Sequence, residues 1–114
     1  MTASLVSSEN VEGTDVYGPG RDKIGNIDHL MIDKQSGRVA YAVMTFGGFL
    51  GLGESKYPMP WSKLSYDNGV DGYMTDVTEE QVKNAPDYDE QSFANREWET
   101  RTHDHYQTHP YWAV

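Results

Sequence analysis

The residues with the most chemical capacity in this 114-residue chain are three histidines near its carboxy end, His103, His105 and His109. On a helix His105 and His109 share a face, whereas on an extended strand His103 and His105 share one. Either geometry supplies two ligands. Zinc takes three or four protein ligands, so Asp104 or Glu99 would have to complete the set. No cysteine is available to add a thiolate. A partly packed tail that holds no metal is the expectation, and a metal role for the histidines is the second reading. His29 lies in a predicted strand and reads as a hydrogen-bonded structural histidine.

Other motifs fail on context. The run Gly47-Gly48-Phe49-Leu50-Gly51-Leu52-Gly53 is rich in glycine, but a phosphate-binding loop needs a helix amino terminus directly after it. Proline-containing extended chain follows instead, so the glycines serve tight turns that present or tuck Phe49 and Leu50. Asp67-Asn68-Gly69-Val70-Asp71-Gly72 lacks the alternating ligands and terminal glutamate of a calcium loop and reads as a hairpin turn. No Gly-x-Ser-x-Gly elbow exists, and Ser62 beside Trp61 reads as packing and turn chemistry. Asp28 and Asp33 flank a strand, and Asp87, Asp89 and Glu90 form a solvated run. No acidic residue stands alone in an apolar segment where burial would raise its pKa for acid–base work. The expectation is a protein that is not an enzyme and carries no cofactor.

The elements around these motifs are mostly strands. Val11 to Tyr17 reads as a short strand closed by Gly18-Pro19-Gly20. Ile24 to Ile32 alternates, with Leu30 and Ile32 on one side and Ile27 and Met31 on the other. Asp33 to Gly37 forms a hairpin loop. Arg38 to Phe46 is apolar on both faces, Val39, Tyr41, Val43 and Thr45 against Ala40, Ala42, Met44 and Phe46, which predicts a central, doubly covered strand. Tyr57 to Trp61 carries Pro58 and Pro60 and belongs at an edge, with Pro60-Trp61 packed into the core. Gly72 to Val77 is the last strand. Thr78-Glu79-Glu80-Gln81 has the capping-box pattern and starts a short helix ending near Ala85-Pro86.

Residues 87–114 differ in kind. They contain no glycine but hold Tyr88, Phe93, Trp98, Tyr106, Tyr111 and Trp112, six of the chain's fourteen aromatics. A second helix is predicted from about Ser92 to Tyr106, with Ala94, Trp98 and Thr102 as a narrow stripe, and Pro110 prevents its continuation. Such a helix is marginal alone, so its aromatics need something to pack on.

Composition bounds the function. The net charge is −9, and the nine Lys and Arg residues are scattered singly. Direct nucleic-acid binding, which needs clustered cations, is not expected, and neither is attachment to acidic membrane surfaces. No run approaches the ~20 apolar residues of a membrane span. The amino terminus lacks the basic and apolar regions of a signal peptide, so a cytoplasmic location is expected.

In order and spacing, the segments resemble the PRC-barrel family. The matching blocks are Gly13-Thr14-Asp15-Val16-Tyr17, Lys23 to Ile27, and Ile32-Asp33 with Ser36 to Val43. Phe46 to Glu54, Pro60 to Leu64 and Asp76-Val77-Thr78 follow. The resemblance covers about residues 9–86 and is nearest to the small stand-alone bacterial members. It implies an all-β fold, a small antiparallel β-barrel over residues 1–86 that acts by docking onto other proteins. The short helix and the aromatic tail, residues 87–114, complete the expected architecture.

The expected function is therefore a non-catalytic adaptor or assembly module with a protein partner, self-associating as a homo-oligomer. The residues expected to carry the interaction are Phe49, Leu50, Trp98, Tyr106, Tyr111 and Trp112. A small ligand or metal held at the barrel mouth or by the tail histidines is the alternative.

Overall fold

The computed structural model describes residues 4–47 and 54–113. Phe49 and Leu50, with the rest of their loop, lie outside the described residues.

Strands dominate. They are β1 (Asp15–Tyr17), β2 (Lys23–Ile32), β3 (Val39–Gly47), β4 (Glu54–Pro60), β5 (Ser65–Asp67) and β6 (Gly72–Met74). The helices are α1 (Ser8–Val11), α2 (Glu79–Lys83) and α3 (Arg96–Tyr106), with short 3-10 turns at Trp61–Lys63 and Ser92–Ala94. All six strands form one sheet in the order β4-β3-β2-β1-β6-β5. Every pairing is antiparallel except β1 with β6, which is parallel and corrects the expectation of a purely antiparallel sheet. A parallel pair needs a long crossover, and here the whole of β2 to β5 lies between the two strands.

Connectivity makes this sheet curl. Laid flat, strands spaced ~4.8 Å would put β4 and β5 about 24 Å apart. The chain leaves β4 at Pro60 and enters β5 at Ser65, and five residues reach at most ~18 Å. The two edges must therefore approach each other. Ring contact confirms it, since Trp61, directly after β4, lies 5.4 Å from Tyr73 of β6. Among the described residues no ladder joins β4 to β5, so the hydrogen-bonded sheet is curled but open.

The concave side is filled by Val16, Ile27, Met44, Phe46, Met59, Tyr73, Val77 and Val82, with Tyr106 from α3. Strand β3 is interior and covered on both faces, as its sequence predicts: Tyr41, Ala42, Val43, Met44 and Phe46 are all buried. Strand β4 is an edge strand, consistent with its prolines. Close strand approach also needs Gly25, where a Cβ would run into the Thr45 carbonyl of β3.

Three expectations of detail change. Val11 ends α1 rather than beginning a strand, because Ser7 caps that turn and accepts from the Glu9 amide, and Gly13 then takes φ +85° before β1. In β2 the alternation slips at register shifts after Ile27 and after Met31, leaving Ile27 fully buried and Ile32 54% exposed. The final strand stops at Met74, and β5 forms its hairpin partner across the Asp67 to Gly72 turn, where the Asp67 carboxylate accepts from the Gly69 amide at 2.7 Å. The capping box at Thr78 and Gln81 forms as expected and starts α2.

Candidate functional site

Helix α3 begins at Asn95, whose side chain accepts from the amides of Glu97 and Trp98. It ends at Gln107, the C-cap residue in the left-handed conformation. The preceding 3-10 turn takes Ala94 off the predicted stripe. Buried along α3 are Trp98, Glu99, Thr102, His103 and Tyr106, a two-row face at helical spacing. One row packs on apolar side chains and the other carries polar chemistry.

Trp98 lies in a cluster with Ala40 and Tyr41 of β3. Its ring sits 5.8 Å from Tyr41, 5.5 Å from Phe93 and 6.4 Å from Tyr88. The tail therefore folds back within its own chain and covers the outer face of β3. Tyr106 reaches the main core, and burial pushes its hydroxyl up to about 12.

Beside this apolar row runs a hydrogen-bonded chain. The Tyr41 hydroxyl donates to Glu99 Oε1 at 2.9 Å, and the Tyr111 hydroxyl donates to the same oxygen at 2.6 Å. Arg96 Nε lies 3.3 Å from Glu99 Oε2. His103 Nε2 is 3.0 Å from the Tyr41 oxygen, and its Nδ1 is 2.8 Å from Thr108 Oγ1. The single Tyr41 proton is committed to Glu99, so His103 must donate from Nε2 to Tyr41 and accept at Nδ1 from Thr108. A neutral imidazole satisfies both contacts. Burial holds the His103 pKa below the ordinary histidine value, against opposing pulls from Glu99 and Asp104. Burial, then the bond to Glu99, raises Tyr41 strongly, and the same causes push Tyr111 up to about 12.

Tyr41, Glu99 and His103 are nearly sealed from solvent, at 1, 4 and 2% exposure. Each proton already has a partner inside the chain. This arrangement holds α3 on β3; it does not present a nucleophile to a substrate.

The tail histidines separate rather than converge. His103 belongs to the chain just described, His105 Nε2 donates to the Gln81 carbonyl at 2.6 Å and ties α3 to α2, and His109 is exposed. Among the described residues no group of three or more His, Cys, Asp or Glu could hold a metal. His29 pairs with Asp28 at 2.7 Å; that bond, with help from Lys56, holds the Asp28 carboxyl below its ordinary value.

Of the residues expected to carry an interaction, Trp98 and Tyr106 are thus packed inside the chain at 2 and 1% exposure. Tyr111 and Trp112 are half-buried at the surface. Trp112 stacks on the Arg96 guanidinium at 3.7 Å and meets the Tyr111 ring edge-on at 4.9 Å. Sequence reasoning weighed Glu99 only as a metal ligand and missed its bonds to Tyr41 and Tyr111, and it missed the pairing of His103 with Tyr41. The available signal was the i, i+4 spacing of Glu99 and His103, in register with Trp98, Thr102 and Tyr106.

The fold that carries this network is a curled six-stranded β-sheet with β1 and β6 parallel, accompanied by short helices. A family model for the PRC-barrel domain matches residues 5–82, and the chain belongs to that family. A Deinococcus radiodurans protein described as uncharacterized is 30% identical over 82 residues, which are 72% of this chain and 29% of that protein. Among solved structures, a Pseudomonas aeruginosa protein titled a 16S ribosomal RNA processing protein, RimM, is 23% identical with a TM-score of 0.44. That alignment covers 68% of this chain and 47% of the other. The chain thus spans less than a third of the first relative and about half of the second. No helix among the described residues is long and apolar enough to cross a membrane.

Proposed function

We propose that this chain is a non-catalytic protein-interaction module of the cytoplasm, an adaptor or assembly factor that also self-associates. The observation that carries the reading is the surface left by the docked tail. Trp112 and Tyr111 stand half-buried with Arg96 stacked between them and Glu99. Trp, Tyr and Arg are the residue types that dominate binding energy at protein interfaces. Here they are held in place by the buried network, so little side-chain freedom remains to be lost on docking. Trp98 and Tyr106 contribute by anchoring α3 beneath that surface, and Phe49 and Leu50 remain proposed contacts.

The reading is tested by replacing Trp112 with a photo-crosslinking phenylalanine derivative and irradiating the full chain, alone and in native lysate. Crosslinks to a second copy support self-association, and crosslinks to one abundant partner support the adaptor role and identify it. A chain that stays monomeric in light scattering and yields neither product overturns the reading.

A further inference from the structure

We infer that a second surface, the groove between the amino-terminal segment and the β5–β6 hairpin, binds a protein partner through a segment bearing apolar side chains together with Lys or Arg. Among the described residues four large apolar side chains are strongly exposed, and three of them gather here: Leu5 at 89%, Val6 at 61% and Tyr66 at 50%. They line a cleft of about 610 Å³ whose floor includes Val11 and Tyr73. Its wall is pre-set, since Tyr66 packs edge-on against Tyr73 at 5.5 Å and its hydroxyl donates to the Asp71 carboxylate.

Charge selects the occupant. The segments that border the groove, residues 4–14 and 65–74, carry Glu9, Glu12, Asp67 and Asp71 and not one Lys or Arg, and Asp71 lines the cleft itself. A second copy would bring these carboxylates against their own kind, whereas a cationic segment would neutralise them.

The test is a fluorescence-anisotropy titration of the full chain with a labelled peptide that alternates valine and lysine, beside its valine–glutamate counterpart. The lysine peptide should bind, more weakly as salt rises, and the glutamate peptide should not. Asp71→Asn keeps the acceptor for Tyr66 and tolerates the positive φ of 51° at this position. Combined with Glu12→Gln it should weaken binding about fivefold, as expected for two surface charges. Leu5→Ser, at a side chain too exposed to affect folding, should weaken it by roughly tenfold. Trp112→Ala should leave this binding unchanged, which separates the groove from the tail surface. The proposal fails if both peptides bind alike, if neither binds, or if the groove variants bind as the parent does. Loss of self-association in Leu5→Ser without peptide binding would assign the groove to a second copy and also overturn it.

Discussion

Tyr41 and Glu99, 58 residues apart in sequence, are joined by a 2.9 Å hydrogen bond that fastens α3 to the outer face of β3. Both groups are buried, so each must find its hydrogen-bond partners inside the chain. Removing the Tyr41 hydroxyl leaves the His103 Nε2 proton without its acceptor and costs Glu99 one of its two tyrosine donors. Tyr41→Phe keeps the ring contacts and should lower stability by about 1–3 kcal/mol in urea unfolding. A cycle with Glu99→Gln should give a coupling of at least ~0.5 kcal/mol. Additive effects would mean that the bond does not fasten the tail.

Acid should loosen the tail before it touches the carboxylates. The His103 pKa is lowered in the folded chain, chiefly by burial. The unfolded chain therefore binds a proton that the folded chain resists. Stability is complete above the unfolded value of ~6.5 and falls as pH drops from there toward the depressed folded value. Asp28 and Asp33 have lowered carboxyl pKa values, through hydrogen bonds to His29 and Ser36 respectively. Their contribution is lost only below about pH 4. Unfolding midpoints should thus decline between pH 7 and 5, and His103→Gln should flatten that decline. An unchanged slope in the variant would remove His103 as its cause.

Much of this fold was readable from pattern. Arg38 to Phe46 is apolar on both faces, and only an interior strand covered from both sides satisfies that; prolines place β4 at an edge for want of amide donors. What escaped depends on partners distant in sequence. Ser65 to Asp67 is too short to show a period, and it becomes a strand because Gly72 to Met74 lies beside it. His103 could not be told from the other tail histidines, because its burial is supplied by Tyr41 and by the returning segment at Thr108 and Trp112. Local spacing could mark Trp98, Thr102 and Tyr106 as one face, but could not say that Glu99 and His103 would face a tyrosine on a distant strand.

Gly25 marks a packing requirement rather than a turn. Its backbone runs so close to β3 that a Cβ would collide with the Thr45 carbonyl, a main-chain atom held in the ladder. A flexible side chain could move aside, whereas this oxygen can yield only if β2 and β3 shift apart. Gly25→Ala should therefore destabilise by about 2 kcal/mol or more, despite the better strand propensity of alanine. Gly37→Ala is a useful contrast, because its Cβ would meet nothing and only the φ of +79° opposes it. Thermal unfolding of both variants should show the larger loss at Gly25, and equal losses would argue that the β2–β3 spacing is not limiting.

Tyr106 should behave in the opposite sense to Tyr41. Its ring is buried in the main core, yet its hydroxyl finds no hydrogen-bond partner among the described residues. A buried hydroxyl without a protein partner gives up hydration for nothing in return, at a cost of about 1–3 kcal/mol. Tyr106→Phe keeps the ring and removes that cost, so stability should hold or rise by up to about 1 kcal/mol. Tyr106→Ala should lose roughly 3–5 kcal/mol, because it empties the ring's volume in a close-packed core. Urea midpoints of the two variants decide the matter. A clear loss in Tyr106→Phe would show that the hydroxyl is bonded in solution and that the ring is not its whole contribution to holding α3.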